Sequence, residues 1–308
     1  MKKTFHLLMF VFALIAITMM SCKEKDPVIE STVKLNFFFS VADKQVAFTS
    51  MINYGDVFQW DFGDGQTSNE KSPVHVYASG GTYDVKLSVT GKGTTKEITK
   101  EVSLALSNIQ MLAGDNRYPN GKKWRISVNH SSTDRFAVAD ANFTVYENVY
   151  LSPGILGMGL GLAEVYEDEF VFKIDGAYQH ITVKGGAFAS TLHEMATTGG
   201  ASIIKLASEN DYNFLCYARY LPQVGASYTF KENDNFTVTT VYGPVTYSNV
   251  MTLDFSGTEF IGFMDYSRKC IIRSLTPTSM QLALFVSLAG LGIQQPSHAV
   301  LLTFEVVR

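Results

Sequence analysis

Cysteine is scarce, with 3 in 308 residues, which excludes the disulfide frameworks that hold small secreted domains together. Proline is sparse at 8, and that rules out collagen-like and proline-rich low-complexity chains. Charge is low: 25 Lys and Arg against 29 Asp and Glu give a formal charge of −4. A weakly acidic chain lacks the basic footprint that phosphate backbones require, so nucleic acid is not expected as a partner. The N-terminal apolar stretch Leu7 to Met20 covers 14 residues, short of the roughly 20 that a spanning helix needs. Catalytic and metal signatures are missing as well. No Gly-x-Ser-x-Gly elbow occurs. His180, His193 and His298 are too scattered for a zinc set. The Glu-x-Asp-x-Glu strand of β-jelly-roll hydrolases is absent.

What is present is apolar and aromatic: 46% hydrophobic residues, with 22 Phe and 15 Tyr. That composition is globular, and the length allows about two domains. The first residues are to be set aside before the fold is read. Lys2 and Lys3 precede the apolar run, and Ser21-Cys22 follows it, with Lys23-Glu24-Lys25-Asp26 beyond. A basic start, an apolar core and a small residue before Cys make residues 1–21 a lipoprotein-type signal. Cys22 is then the first mature residue, with its thiol carrying the lipid. Such an anchor holds a domain at a membrane without spanning it. Loss of residues 1–21 removes Lys2 and Lys3 and no acid, taking the formal charge from −4 to −6. The segment resembles the looser lipoboxes of Bacteroidetes lipoproteins, with Met19 where a Leu is usual. Glu24 and Asp26 loosely fit the acidic residues that accompany export to the cell surface there. The resemblance implies an outer-membrane, surface-facing location.

Residues 22–32 read as a polar tether. From Val33 to about Leu104, short strands alternate with turn residues. Phe58, Trp60 and Phe62 share one face of a strand, since side chains there have period 2. Gly63-Asp64-Gly65 supplies a turn. Tyr83, Val85, Leu87 and Val89 form another alternating strand. Trp60 reads as core. Asp61 and Asp64 read as turn chemistry rather than calcium ligands, because two carboxylates alone do not make a calcium site. The motifs Trp60-Asp-Phe-Gly-Asp-Gly65, Ser72-Pro-Val-His-Val-Tyr77 and Gly81-Thr-Tyr-Asp-Val-Lys-Leu-Ser-Val89 resemble a PKD domain. The resemblance implies an immunoglobulin-like sandwich that serves as a spacer or contact module.

Residues 109–308 read as a second all-β unit. A connector at 107–120 has a short helix at Asn108–Ala113. Strands are expected at Lys123–Val128, Phe143–Val149, Glu169–Ile174, Tyr178–Val183, Ala201–Leu206, Tyr212–Ala218, Ser227–Thr229, Phe236–Val241, Met251–Phe255, Cys270–Leu275, Met280–Val286 and Val300–Val307. Asp175-Gly176 turns a hairpin, and Ser190–Ala196 has room for one short helix. Cys216 and Cys270, in apolar strand-like runs, read as buried free thiols rather than a bridge. Gly157, Gly159 and Gly161 mimic a nucleotide loop without a framing strand and helix, so Pro153–Leu162 reads as a flexible or membrane-near loop. The acidic run Glu164, Glu167, Asp168 and Glu169 reads as a solvated start to the strand at Phe170.

Three stretches in this unit resemble the domain that follows PKD repeats in surface lipoproteins of Bacteroidetes polysaccharide-utilisation loci. They are Gly121-Lys-Lys-Trp124, Tyr166 to Gly176, and Phe260 to Thr276. The fold expected overall is all-β: a PKD sandwich, then a larger, jelly-roll-like β-sandwich, with a lipocalin-like barrel as the alternative. The resemblance implies non-catalytic binding of a polysaccharide or oligosaccharide beside outer-membrane uptake proteins, with no metal or cofactor. Trp124, Tyr150 and Tyr166 are the candidate ligand contacts to test first, with Trp124 reading more as core than as contact because it opens a strand. A structural or adhesive lipoprotein gripping another protein, and a glycoside hydrolase, are the alternatives. An aromatic platform favours glycan binding, a broad apolar patch favours adhesion, and paired carboxylates in a cleft favour hydrolysis.

Overall fold

The computed structural model describes residues 35–52, 55–208 and 214–307. The signal, Cys22 and the tether lie outside the described residues, as do the first two residues of the expected strand Tyr212–Ala218.

The N-terminal unit contains β1 (Asn36–Ala42), β2 (Gln45–Met51), β3 (Val57–Asp61), β4 (Thr67–Ser68), β5 (Val74–Val76), β6 (Gly81–Gly91) and β7 (Thr94–Leu104). These form two sheets, β1-β2-β5 and β4-β3-β6-β7. Alternation sets the packing: Tyr83, Val85, Leu87 and Val89 of β6 are buried, while Asp84 and Lys86 face water. Trp60 is fully buried as expected, its ring centroid 5.0 Å from Phe37 and 5.2 Å from Phe48. Its Nε1 donates to the Glu70 carbonyl at 2.9 Å, which meets the need of a buried indole for a partner. Asp61 and Asp64 do shape the turn. Their Oδ1 atoms accept from the Gly63 and Gln66 amides, both at 3.0 Å, and Asp64 Oδ2 lies 2.8 Å from His75 Nε2. Gly63 is required there: its φ is +77°, and a Cβ would stand 2.8 Å from the Asp84 carbonyl.

A connector with α1 (Asn108–Ala113) leads to the larger unit. Its strands are β8 (Lys122–Ile126), β9 (Arg135–Val138), β10 (Val145–Tyr150), β11 (Glu169–Phe172), β12 (Tyr178–Ile181) and β13 (Gly186–Ser190). After α2 (Thr191–Thr198) come β14 (Ile203–Leu206), β15 (Leu215–Arg219), β16 (Tyr228–Thr240), β17 (Gly243–Phe255), β18 (Lys269–Leu275), β19 (Ser279–Val286) and β20 (His298–Val306). The main sheet runs β12-β11-β8-β20-β19-β18-β17-β16, with β9 also against β20 and β10 against β9. It folds over a sandwich-like core that includes Trp124, Phe170, Phe172, Tyr178, Phe255 and Phe304. Its two outermost strands meet at one end through an Ala177–Ser227 bridge. There the Tyr178 amide donates to Ala226 at 3.0 Å and the Tyr228 amide to Gly176 at 2.9 Å. That closure is the feature of the barrel alternative. A second sheet, β13-β15-β14, is tied to the first by a parallel bridge between Ala189 and Met264.

The helix at Asn108–Ala113 and the Asp175-Gly176 turn are where the sequence puts them. Three local expectations need correction. The strands expected at 227–229 and 236–241 are parts of one long strand, β16, whose polar middle stays paired with β17 through bulges. Strands β9 and β13 were not expected. The Pro153–Leu162 run is neither a loose nor a membrane-near loop. It coils through a π-helical turn at Ile155–Gly159, and Leu156, Leu160 and Leu162 are fully buried in the main core.

The connector is bonded to both units. Gln110 Nε2 donates to the Gly80 carbonyl at 2.8 Å, and Asn116 Nδ2 donates to Thr82 at 3.1 Å. On its other side the Leu112 carbonyl accepts from Trp124 Nε1 at 2.8 Å.

Candidate functional site

The three expected contacts part company. Trp124 is fully buried, because Lys122, Trp124 and Ile126 all point inward from β8. Its ring faces the core and its only polar atom is taken by Leu112. Tyr166 is also buried. Its hydroxyl lies 2.8 Å from His130 Nε2 and accepts from the Leu156 amide at 3.2 Å. Burial pushes the Tyr166 hydroxyl up to about 12. Tyr166 is therefore corrected from ligand contact to core, and of its two readings Trp124 takes the core one, not that of a ligand contact. Tyr150 is different: half of it is exposed, and the Arg135 guanidinium lies 5.8 Å from its ring centroid.

Two more tyrosines are open to solvent. Tyr146, on the same strand as Tyr150, is 43% exposed and meets the His298 ring edge-on at 4.7 Å. Tyr242, at the tip of the β16–β17 hairpin, is 66% exposed. The segment Pro296–His298 links the two. The Val241 amide donates to the Pro296 carbonyl at 3.0 Å, and Ser297 Oγ lies 2.8 Å from His298 Nδ1. Burial lowers the His298 pKa, so the imidazole beside Tyr146 is neutral at pH 7. Tyr146 beside His298, and Tyr242 on the hairpin bonded to Pro296, thus form an aromatic rim, and Tyr150 is a further open ring four residues along from Tyr146. The sequence shows the tyrosines but not which of them face water.

The acidic run is paired with lysines or buried. Glu164 pairs with Lys205 at 3.4 Å, Glu167 with Lys184 at 3.8 Å and Glu169 with Lys123 at 2.8 Å. Asp168 is not solvated as expected but buried, because the turn into β11 aims it at His180 Nε2, 3.7 Å away. Glu259 Oε2 stands 4.0 Å from His180 Nδ1 on the other side. Burial raises the Asp168 pKa. Glu259 Oε1 in turn accepts from the Gln223 amide, anchoring the loop that carries exposed Leu221 and Val224.

Cys216 and Cys270 are buried free thiols. Burial pushes the Cys216 thiol up to about 12 and the Cys270 thiol higher still, so both are poor nucleophiles. Among the described residues no cluster of His, Cys, Asp and Glu is placed to hold a metal ion.

A family model described as "PKD domain" matches residues 39–105. The N-terminal unit is a PKD domain. Its sequence likeness reaches a microbial collagenase of Vibrio alginolyticus, 49% identical over 47 residues, which is 15% of this chain and 6% of the collagenase. Collagenase ColQ1 of Bacillus cereus (strain Q1) is 50% identical over 48 residues, 15% of this chain and 5% of that protein. The chain thus spans only about a twentieth of these relatives, within the PKD domain alone. Among solved structures, the PKD1 domain of Vibrio anguillarum Epp is 30% identical, covering 24% of this chain and 94% of that one, with a TM-score of 0.22. A structure described as explaining the promiscuous specificity of carbohydrate-binding modules from the beta-sandwich superfamily is 15% identical. It covers 89% of this chain and 91% of its own, with a TM-score of 0.24.

Proposed function

We propose that this protein is a lipid-anchored, non-catalytic glycan-binding protein of the outer-membrane surface, which captures polysaccharide for neighbouring uptake proteins. The PKD domain is the spacer and the larger unit carries the binding face. The observation that carries this reading is the set of open rings at Tyr146, Tyr150 and Tyr242. Sugar rings present C–H faces that pack on open aromatic rings, with nearby polar groups fixing orientation. The non-catalytic part rests on the acids. A glycosidase needs two carboxylates flanking the bond, about 5–5.5 Å or about 6.5–9.5 Å apart. Here Glu167 and Glu169 are each paired with a lysine, while Asp168 and Glu259 are buried against His180.

Adhesion to another protein is the second reading. It is favoured by Leu221 and Val224, which are 88% and 97% exposed on one loop. Affinity electrophoresis of the full mature chain in gels of plant, host and microbial polysaccharides, with product analysis, tests both. Retardation without released oligosaccharide supports glycan capture. Release that depends on Glu167 or Glu169 overturns the non-catalytic reading. No retardation across the panel overturns glycan binding and leaves adhesion.

A further inference from the structure

Between the PKD domain and the larger unit lies a cleft of about 580 Å³, within the size range of small-molecule sites, which favour domain interfaces. Its floor is the connector, with Ile109, Ala113 and the half-buried ring of Tyr118. Lys44, from the β1–β2 turn, enters from the PKD side, and Lys173, from the β11–β12 turn, enters from the other. Neither lysine has an ion pair among the described residues. The Lys44 ammonium reaches only the Ala78 carbonyl, at 3.2 Å.

The two carboxylates of the cleft are partly spent. Asp115 is held by Arg117, with Nη2 at 2.8 Å and Nε at 3.1 Å, so its charge is met. Asp175 gives one oxygen to the Ala177 amide at 3.0 Å. Behind Tyr118 a further cation, Lys122 Nζ, sits 5.6 Å from the ring centroid. Two lysines and two aspartates line the cleft, and with Asp115 neutralised by Arg117, Lys44 and Lys173 face Asp175 alone, on a chain whose overall sign is negative. The surplus is local, and it frames an aromatic ring.

We propose that this cleft binds a carboxylated sugar, a uronic acid unit of an acidic glycan, with the ring against Tyr118 and the carboxylate between Lys44 and Lys173. The proposal rests on the glycan-binding reading and adds to it a second site and a class of sugar. Charge-assisted hydrogen bonds to a carboxylate are about twice as strong as neutral ones, and loss of one such contact weakens binding by about tenfold. Because both walls are needed, the cleft binds only when the PKD domain and the larger unit are joined.

The test is calorimetry on the full mature chain with oligogalacturonate, and with the same oligomer after reduction of its carboxyl groups. The native oligomer binds, the reduced one binds about tenfold or more weakly, and raising the salt concentration narrows the difference. A Lys44→Gln/Lys173→Gln double variant, both changes on exposed turns, loses about tenfold or more in affinity while its melting temperature holds. Equal affinity for the two oligomers, or an unchanged double variant, overturns the proposal. Neutral polysaccharide retained on gels while oligogalacturonate fails to bind removes the cleft and leaves the glycan reading. Failure of acidic and neutral glycans alike removes both.

Discussion

Lys122 Nζ donates to the Pro277 carbonyl at 2.6 Å, holding the first strand of the larger unit to the β18–β19 turn. A second bond, at 2.5 Å, runs to the Met111 carbonyl in α1. The ammonium sits 4.8 Å from the Trp124 ring centroid, and no carboxylate pairs with it among the described residues. Desolvation lowers its pKa from 10.5 to about 8. Between those values the unfolded chain binds a proton that the folded one has released, so stability rises with pH across that window. The full shift corresponds to about 3 kcal/mol. Denaturant unfolding from pH 7.5 to 8.5 should show a rise in the wild type that Lys122→Met lacks; from about pH 9 the buried Cys216 and Cys270 thiols, whose pKa values burial raises, begin to lower stability. Above about pH 10 the buried Tyr77 and Tyr228, whose pKa values burial raises, act in the opposite direction.

Trp60 anchors the PKD core. Trp60→Ala removes ring contacts with Phe37, Phe48 and Phe62 and leaves the Glu70 carbonyl without its donor. Loss of a buried indole costs about 3–5 kcal/mol. Calorimetric melting should show the PKD transition moving to much lower temperature. A transition within a degree of wild type would mean that the ring packs elsewhere.

The PKD core was legible because its strands bury one face. Tyr83, Val85, Leu87 and Val89 alternate with residues that are exposed or half-buried, and Trp60 follows the same rule. Strand β13 was not legible, since all of Gly186–Ser190 is buried and no period of two is left to read. The Pro153–Leu162 run misled for another reason: its glycines suggest a loose loop, yet they let the chain coil tightly enough to bury three leucines. At the site, residue type did not reveal exposure. Tyr178 is buried, its hydroxyl donating to the Phe260 carbonyl at 2.6 Å, whereas Tyr146 is open. What decides between them is a partner far along the chain. Nor does a lysine at the head of a strand announce, as Lys122 shows, that it will be buried.

Tyr166 should prove structural. Its hydroxyl meets His130 Nε2, while His130 Nδ1 lies 3.1 Å from Asp134. Asp134 also accepts from Gln281 Nε2 at 2.8 Å and Thr303 Oγ1 at 2.6 Å. Burial alone would raise the Asp134 pKa, but these hydrogen bonds outweigh it and hold it below the usual value. The carboxylate's contribution is therefore present above about pH 4 and lost as acid protonates it. Tyr166→Phe leaves His130 Nε2 and the Leu156 amide unpartnered and should cost about 1–3 kcal/mol, with polysaccharide retardation unchanged. A variant of normal stability that no longer binds would restore Tyr166 as a contact.

The anchor is tested apart from the fold. Cys22→Ala removes the thiol that a lipoprotein signal requires. In cells, the variant should lose acyl labelling and leave the membrane fraction, or remain unprocessed. Labelling and detergent partitioning equal to wild type would dismiss Cys22 as the lipid site.

The aromatic rim is the part of the functional reading that single residues can break. Tyr146 and Tyr242 are exposed, and neither hydroxyl has a hydrogen bond among the described residues, so truncation takes little from the fold; surface changes of this kind usually stay within about 0.5 kcal/mol. A ring packed against a ligand contributes more, since an aromatic contact of this type is worth about 0.5–1.5 kcal/mol beyond the area it covers. Tyr146→Ala and Tyr242→Ala should each weaken retardation by polysaccharide severalfold, and together by about tenfold or more, with melting temperatures unchanged. Tyr150→Ala belongs in the series because its ring also faces the Arg135 guanidinium, 5.8 Å away; a loss there greater than at Tyr146 would place the centre of the site on β10. If all three variants bind as wild type does, the rim is not the glycan face, whatever the full chain retains through the cleft beside Lys44 and Lys173.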